Sequence, residues 1–259
     1  MNKTDKRDHK LEKLIIDGYY YEAMEYIADF SLDKVFSYLS SFAYEEDSLV
    51  AYAFSCFMYE QTGSEEWCDF IVTLSYIELV YIEGMNCVQV YYSRELVRIN
   101  RSVENMSCLL EANVCPDTCY LIDKSESLLL AEEILKYDPS ERVANKYMKD
   151  LERGYEEDCV YHEENFTTCL EMGLYEKALG FLEHTDGVGN REFFVEYAKR
   201  EQSIEIYNFI RYMINKTKSF EWMKTAVDVL TTGLESLKDY GVYDIASFHI
   251  REMERVKRQ

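Results

Sequence analysis

Cysteine is the first residue type in this chain that could bind a metal. Cys115 and Cys119 stand at Cys-x₃-Cys spacing, and with Cys108 they could close a loop around zinc. No second pair of Cys or His residues follows at zinc-finger spacing, and the eight cysteines lie mostly among apolar neighbours. This pattern favours reduced, buried cysteines of an intracellular protein, and no metal ligand is predicted.

Catalytic groups show no convergent pattern either. The histidines, at positions 9, 162, 184 and 249, have no helical i+4 partner, and Cys159 with His162 would be crowded within one turn. The chain contains neither G-x-G-x-x-G nor a Gly-Lys-Ser/Thr loop for phosphates. We therefore predict no catalytic residue and no cofactor, and an enzyme is the weakest of the functional classes.

Carboxylates are the abundant chemical groups. One stripe has informative spacing, because pairs seven residues apart share a helical face: Glu156, Glu157, Asp158, Glu163 and Glu164. A second run is Glu45, Glu46 and Asp47. Such groups form either a solvated face or an anionic contact surface for a basic protein.

The net charge favours some classes of binding partner over others. The chain has 49 acidic and 28 basic residues, a formal net charge of −21. Such a field repels nucleic acids and anionic membranes, and phosphate binding begins with clusters of Lys and Arg. We expect a basic protein as partner, without nucleic acid or membrane; the alternative is that the acidity serves solubility alone.

The N-terminal segment and the most apolar segment indicate where in the cell the protein is expected. Residues 1–13 are charged and do not resemble a secretory signal, and the most apolar segment, 70–82, is too short to span a bilayer and contains Glu78. We expect a cytoplasmic protein.

The chain also has 23 Tyr, including runs at 19–21 and 91–92, which serve either helix packing or protein recognition.

The chain resembles itself. Shifted by 155 positions, residues 14–70 align with 169–225 without a gap, and thirteen of the 57 pairs are identical, including Trp67 with Trp222. A two-residue insertion then pairs Gly84 with Gly241. The sequence predicts an internal duplication, with copy one at 14–99, a helical spacer at 100–165 and copy two at 166–259.

Both copies have helical periodicity, and no segment indicates a strand. Asp47 or Ser48 precedes a helix over 47–61, Ser64 precedes one over 64–83, and Asp138 to Glu141 mark a further start. We predict an all-α fold of about fourteen helices.

One motif, G-x-Y-x-x-A, recurs three times and predicts a tight turn between two helices. Gly would end one helix in a left-handed conformation, Tyr would pack over the corner, and Ala would admit the next helix. Its residues are Gly18, Tyr20, Ala23, Gly173, Tyr175, Ala178, Gly241, Tyr243 and Ala246.

This motif resembles the turn between the two helices of a tetratricopeptide repeat, and residues 131–139 (AEEILKYDP) resemble the end of such a repeat. The 34-residue period is not kept, so the resemblance implies an irregular α-solenoid. Residues 81–84 (YIEG), a Tyr/Arg-rich helix and AEEILKYDP resemble uncharacterised Firmicute helical-repeat proteins, some suspected of being immunity partners of secreted toxins. The expected function is a non-enzymatic immunity protein that binds a basic, nuclease-type toxin domain; the alternative is a helical-repeat regulator that senses a peptide or protein, or a scaffold.

Overall fold

The computed structural model describes residues 9–114, 121–153, 165–183 and 191–258. In these ranges all regular structure is helical: fifteen α-helices, two π-helices and one 3-10 helix, with no strand. The chain divides into two compact units, a first unit of residues 1–85 and 187–259 and a second unit of residues 86–186. The first unit therefore combines segments from both ends of the chain. The sequence-based division at 99 and 165 stays a prediction about the repeat.

The helices of the first unit are α1 (His9–Ile16), α2 (Tyr20–Ile27), α3 (Leu32–Glu45), α4 (Leu49–Thr62), α5 (Glu65–Thr73), a first π-helix (Leu74–Glu78), α12 (Arg191–Glu201), α13 (Glu205–Thr217), α14 (Phe220–Asp228), a second π-helix (Val229–Gly233), a 3-10 helix (Glu235–Tyr240) and α15 (Val242–Arg258). The second unit contains α6 (Met85–Ile99), whose first residue belongs to the first unit, α7 (Val103–Val114), α8 (Lys124–Tyr137), α9 (Arg142–Glu152), α10 (Phe166–Glu171) and α11 (Tyr175–Glu183).

Helix α4 lies at the centre of the first unit. Every residue from Leu49 to Met58 is buried, so this helix has no solvated face over its first ten residues. A helix that is apolar all round must be surrounded by other helices. Its one tyrosine in this stretch, Tyr52, donates a hydrogen bond to Asn208 Oδ1 of α13 at 2.9 Å, which satisfies a buried hydroxyl.

Two predicted helix starts agree with the structure, and two other details differ from the prediction. The side chains of Ser48 and Ser64 accept hydrogen bonds from backbone N–H groups at the starts of α4 and α5. The helix predicted over 64–83 is shorter, because α5 ends at Thr73 and continues as the first π-helix, where the Leu79 N–H donates to the Leu74 carbonyl. Helix α9 is capped by Glu141 rather than by Asp138.

The residues with positive φ fall into four matched pairs. Within the described ranges they are Asp47 and Gln202, Gly18 and Gly173, Gly63 and Lys218, each 155 apart, and Gly84 and Gly241, 157 apart. The two π-helices also start 155 residues apart. Trp67 and Trp222 meet Phe54 and Phe209 in the same way, with ring centroids 6.2 Å apart and interplanar angles of 86° and 85°.

The first two glycine turns bring helices into close contact. A Cβ on Gly18 would lie 2.6 Å from the backbone N of Phe248 in the first unit, and a Cβ on Gly173 would lie 2.9 Å from Tyr91 Cβ in the second. In each motif the Tyr ring stacks on the residue that the glycine approaches: Tyr20 on Phe248 at 4.2 Å, and Tyr175 on Tyr91 at 4.4 Å. Each glycine admits this approach because it has no side chain.

The third turn departs from the predicted packing. Gly241 has a φ of 81° and Ala246 is buried, but the Tyr243 side chain is 48% exposed. The expectation that this Tyr packs over the corner is wrong. Helix α15 buries Val242, Ile245 and Ala246, so the position after Val242 faces outward.

Candidate functional site

The acidic run Glu45, Glu46 and Asp47 lies where α3 ends and the chain turns into α4. All three residues are exposed. Asp47 has a φ of 50°, a left-handed conformation that Asp tolerates better than most residues. Its carboxylate accepts a hydrogen bond from the Tyr81 hydroxyl at 2.8 Å.

These carboxylates stand at an unfavourable end of the helix. The carboxyl terminus of a helix carries partial negative charge and favours Lys or Arg nearby. At the matched end of α12, Lys199 and Arg200 stand where α3 has Tyr44 and Glu45, whereas Glu46 has an acidic counterpart in Glu201. Helix stability therefore does not account for Glu45.

An exposed apolar surface lies next to Asp47. The first π-helix and the turn after it expose Tyr76 (56%), Ile77 (60%), Val80 and Tyr81. The second π-helix has Thr231 and Thr232 at the positions matched to Tyr76 and Ile77. Their hydroxyls donate to the carbonyls of Val227 and Asp228 in the preceding helix α14. The exposed apolar character therefore belongs to the first π-helix and not to π-helical geometry in general.

Tyr81 joins the two features. Its ring lies 6.1 Å from the ring of Tyr240, and its hydroxyl reaches Asp47. Burial, the hydrogen bond to Asp47 and nearby charges raise the pKa of Tyr81, so the phenol keeps its proton and remains a donor. We call the set Tyr44, Glu45, Glu46, Asp47, Tyr76, Ile77, Glu78, Val80 and Tyr81 the acidic-aromatic surface.

The other predicted carboxylates lie outside the described residues. These are Glu156, Glu157, Asp158, Glu163 and Glu164, and the same holds for Cys115, Cys119, Cys159, His162 and His184. Within the described ranges, no group of three or more His, Cys, Asp or Glu side chains could hold a metal ion. Nor does any helix in those ranges combine the length and the apolar composition needed to cross a membrane.

Comparison with known proteins adds no family or activity. No protein-family model, curated protein or solved structure matches this chain. The functional argument therefore depends on the residues and the surfaces described above.

A cleft in the first unit was missed by the sequence analysis. It has a volume of about 340 Å³, and its walls come from α2, α4, α13, α14 and α15. Arg211 pairs with Glu60 at its base, with side chains 3% and 16% exposed. The available signal was a single Arg inside the apolar run 206–213 of α13, because an arginine among buried positions requires a partner.

A basic stripe in the second unit was also missed. Helix α9 and the residue after it expose Arg142, Lys146, Lys149 and Arg153 at helical spacing. The prediction that nucleic acid is excluded assumed that no such cluster exists. Net charge therefore does not describe every surface of this chain, although a single stripe on a body with a net charge of −21 is a weak electrostatic footprint.

Proposed function

We propose that this chain is a non-enzymatic protein-binding module, specifically a bacterial immunity protein that neutralises a basic, nuclease-type toxin domain in the cytoplasm. The observation that carries the proposal is the acidic-aromatic surface, where exposed carboxylates stand beside exposed Tyr and Ile side chains. No catalytic group is required for this role.

The carboxylates fit the chemistry of such a partner. An enzyme that acts on nucleic acid presents Lys and Arg at its active cleft, so an inhibitor gains by placing carboxylates where phosphates would lie. Glu45 and Glu46 stand at the carboxyl end of α3, where negative charge is unfavourable. Asp47 follows in the turn, and Glu78 stands at the carboxyl end of the first π-helix, where negative charge is unfavourable for the same reason. The net charge of −21 adds long-range attraction and speeds the encounter.

The exposed apolar side chains supply the short-range contacts that binding also needs. Tyr is enriched at the centres of protein interfaces, and its desolvated contacts slow dissociation. Tyr76, Ile77 and Tyr81 are each more than half exposed, so their contact area is open to a partner. Charge brings the partner to the surface, and these side chains hold it there.

The scaffold we propose is an irregular, tetratricopeptide-like solenoid that arose by internal duplication. Support comes from the four matched pairs of positive φ, the two π-helices in register and the matched Trp–Phe contacts. The resemblance to uncharacterised Firmicute helical-repeat proteins, some suspected of being immunity partners of secreted toxins, agrees with this scaffold. Duplicated copies free one copy to change, and the exposed residues of α3 and the first π-helix differ from their counterparts.

A second candidate function is a regulator that senses a peptide or small ligand. The cleft between α4, α13 and α15 favours this candidate, because a scaffold without a ligand has no need of a polar cavity. The two candidates differ in the surface that they use.

Growth rescue tests the proposed function. The adjacent reading frame is expected to encode a basic toxin, and co-expression with this chain should restore growth. Glu45→Arg with Glu46→Lys should abolish the rescue, because four units of charge change at the proposed contact. Both changes suit the helix end, so the variant is expected to fold.

The matched control is Glu25→Lys with Asp29→Lys. These exposed carboxylates lie at the end of α2, and the change in net charge is the same. Rescue by the control and not by the first variant supports the acidic-aromatic surface. The absence of an adjacent toxin gene, or equal rescue by both variants, would show that the proposal is wrong.

A further inference from the structure

The cleft in the first unit differs in charge from the rest of the chain. Its walls carry three cations, Arg211, Lys218 and Arg255, and two carboxylates, Glu60 and Glu252. Arg211 pairs with Glu60 and Arg255 with Glu252, so one positive charge is left at Lys218. No carboxylate of the described residues forms an ion pair with this lysine. A locally positive cleft in a protein of net charge −21 fits an anionic ligand.

Lys218 has a strained backbone conformation. Its φ is 53°, a left-handed conformation at the end of α13, whereas the matched helix α4 ends with Gly63 at 64°. A side chain in this conformation is strained relative to Gly. A lysine that replaces the preferred glycine beside a cleft points to a function for the ammonium group.

His249 supplies a second observation. Its side chain is 2% exposed and forms part of the wall. The Nε2 atom lies 2.8 Å from the Tyr207 hydroxyl, and no atom of the described residues hydrogen-bonds to Nδ1. Burial, together with the Arg211 charge, lowers the pKa of His249 to about 3, so the imidazole is neutral.

The neutral imidazole has two tautomers, which differ in whether Nε2 or Nδ1 carries the proton. Arg211 lies with its guanidinium carbon 5.8 Å from the centre of the Tyr207 ring, and it hydrogen-bonds to Glu60 and the Ala53 carbonyl. The bond between Tyr207 and His249 Nε2 fits either tautomer, because a hydroxyl both donates and accepts. In both tautomers Nδ1 is a buried polar atom without a partner, which is unfavourable. A ligand hydroxyl, which can donate or accept, would satisfy this atom.

The apolar wall sets the body of the ligand. Phe57 and Phe248 meet edge to face at 5.5 Å, and Met223 lies beside them in the wall. Aromatic rings and a thioether favour contact with another ring. The volume of about 340 Å³ is at the small end of the range for ligand pockets.

We propose that this cleft binds a small arylcarboxylate that also carries a hydroxyl group. Its carboxylate pairs with Lys218, its ring lies against Phe57, Met223 and Phe248, and its hydroxyl hydrogen-bonds to His249 Nδ1. This site is independent of the acidic-aromatic surface, and its failure leaves the proposed function untouched.

Calorimetric titration of the full chain with 3-phenyllactate tests the site. Two matched ligands each lack one group: 3-phenylpropionate lacks the hydroxyl, and 2-phenylethanol lacks the carboxylate. We expect 3-phenyllactate to bind about tenfold more tightly than 3-phenylpropionate, since each 1.4 kcal/mol is a factor of ten, and 2-phenylethanol to bind most weakly. Absence of 3-phenyllactate binding, or equal affinity for all three compounds, overturns the proposal.

Variants assign the contacts. Lys218→Gly should weaken 3-phenyllactate binding at least tenfold and also raise the melting temperature, because glycine relieves the left-handed strain. A loss of affinity with a gain in stability cannot come from misfolding. His249→Phe should weaken 3-phenyllactate binding and leave 3-phenylpropionate binding unchanged. The control is Lys13→Gln, an equal loss of charge on exposed α1. Wild-type affinity in Lys218→Gly, or equal weakening in Lys13→Gln, contradicts the assignment.

Discussion

Gly18→Ala is expected to lower the free energy of unfolding by about 4 kcal/mol, the sum of left-handed strain and overpacking. The φ of Gly18 is 74°, which disfavours any side chain. The new Cβ would lie 2.6 Å from the backbone N of Phe248 and 2.9 Å from its Cα. Backbone atoms of α15 cannot rotate away as a side chain would, so the two segments must separate. Urea unfolding measures the change.

Gly63→Ala is the matched control. Its φ of 64° imposes the same left-handed strain, but a Cβ there would have no atom within 4 Å. We expect a loss of about 1 kcal/mol at this position. Equal losses for the two variants would mean that α15 does not approach Gly18 closely, and the account of the turn would be wrong.

Arg211→Met is expected to lower the free energy of unfolding by about 3 kcal/mol, because it leaves a largely buried carboxylate without its partner. The Arg211 side chain is nearly inaccessible, and its guanidinium bonds to Glu60 at 2.5 and 3.0 Å and to the Ala53 carbonyl at 3.0 Å. Glu60 is 16% exposed, so water relieves part of the cost.

A second change separates the ion pair from the packing. Glu60→Gln in the Arg211→Met background should recover part of the stability, since a neutral amide costs less to bury than a carboxylate. Lys224→Met, which breaks the exposed pair with Glu221, should cost less than about 0.5 kcal/mol. A double variant no more stable than Arg211→Met alone would contradict the electrostatic explanation.

Local features of the fold were predictable where local chemistry decides them. Gly18 and Gly173 have positive φ because a helix that ends and immediately restarts needs a left-handed residue, and the motif marks that need. Ser48 and Ser64 cap helices for a similar local reason. Tyr243 differs because its exposure depends on which face of α15 the neighbouring helices cover, which the motif does not record.

The sites depend on contacts that periodicity does not contain. Glu45 to Asp47 are visible as a charge run, but the periodicity predicts a regular helix at Tyr76 and Ile77, and no local pattern marks the π-helix that exposes them. The cleft combines Glu60, Arg211 and His249 from three helices that are distant in the sequence. An isolated Arg in an apolar run was its one local signal.

The central claim is that the acidic-aromatic surface binds a basic toxin domain. The direct measurement is the dissociation constant between this chain and the basic domain encoded beside it, at about 50 and 300 mM salt. We predict weaker binding at the higher salt concentration. We also predict at least a tenfold loss with Tyr76→Thr and Ile77→Thr, since hot-spot residues cost about 2 kcal/mol or more. These substitutions introduce the residues that the second π-helix carries at 231 and 232, so the fold accommodates them. Affinity that is unchanged both by salt and by the double variant would contradict the account.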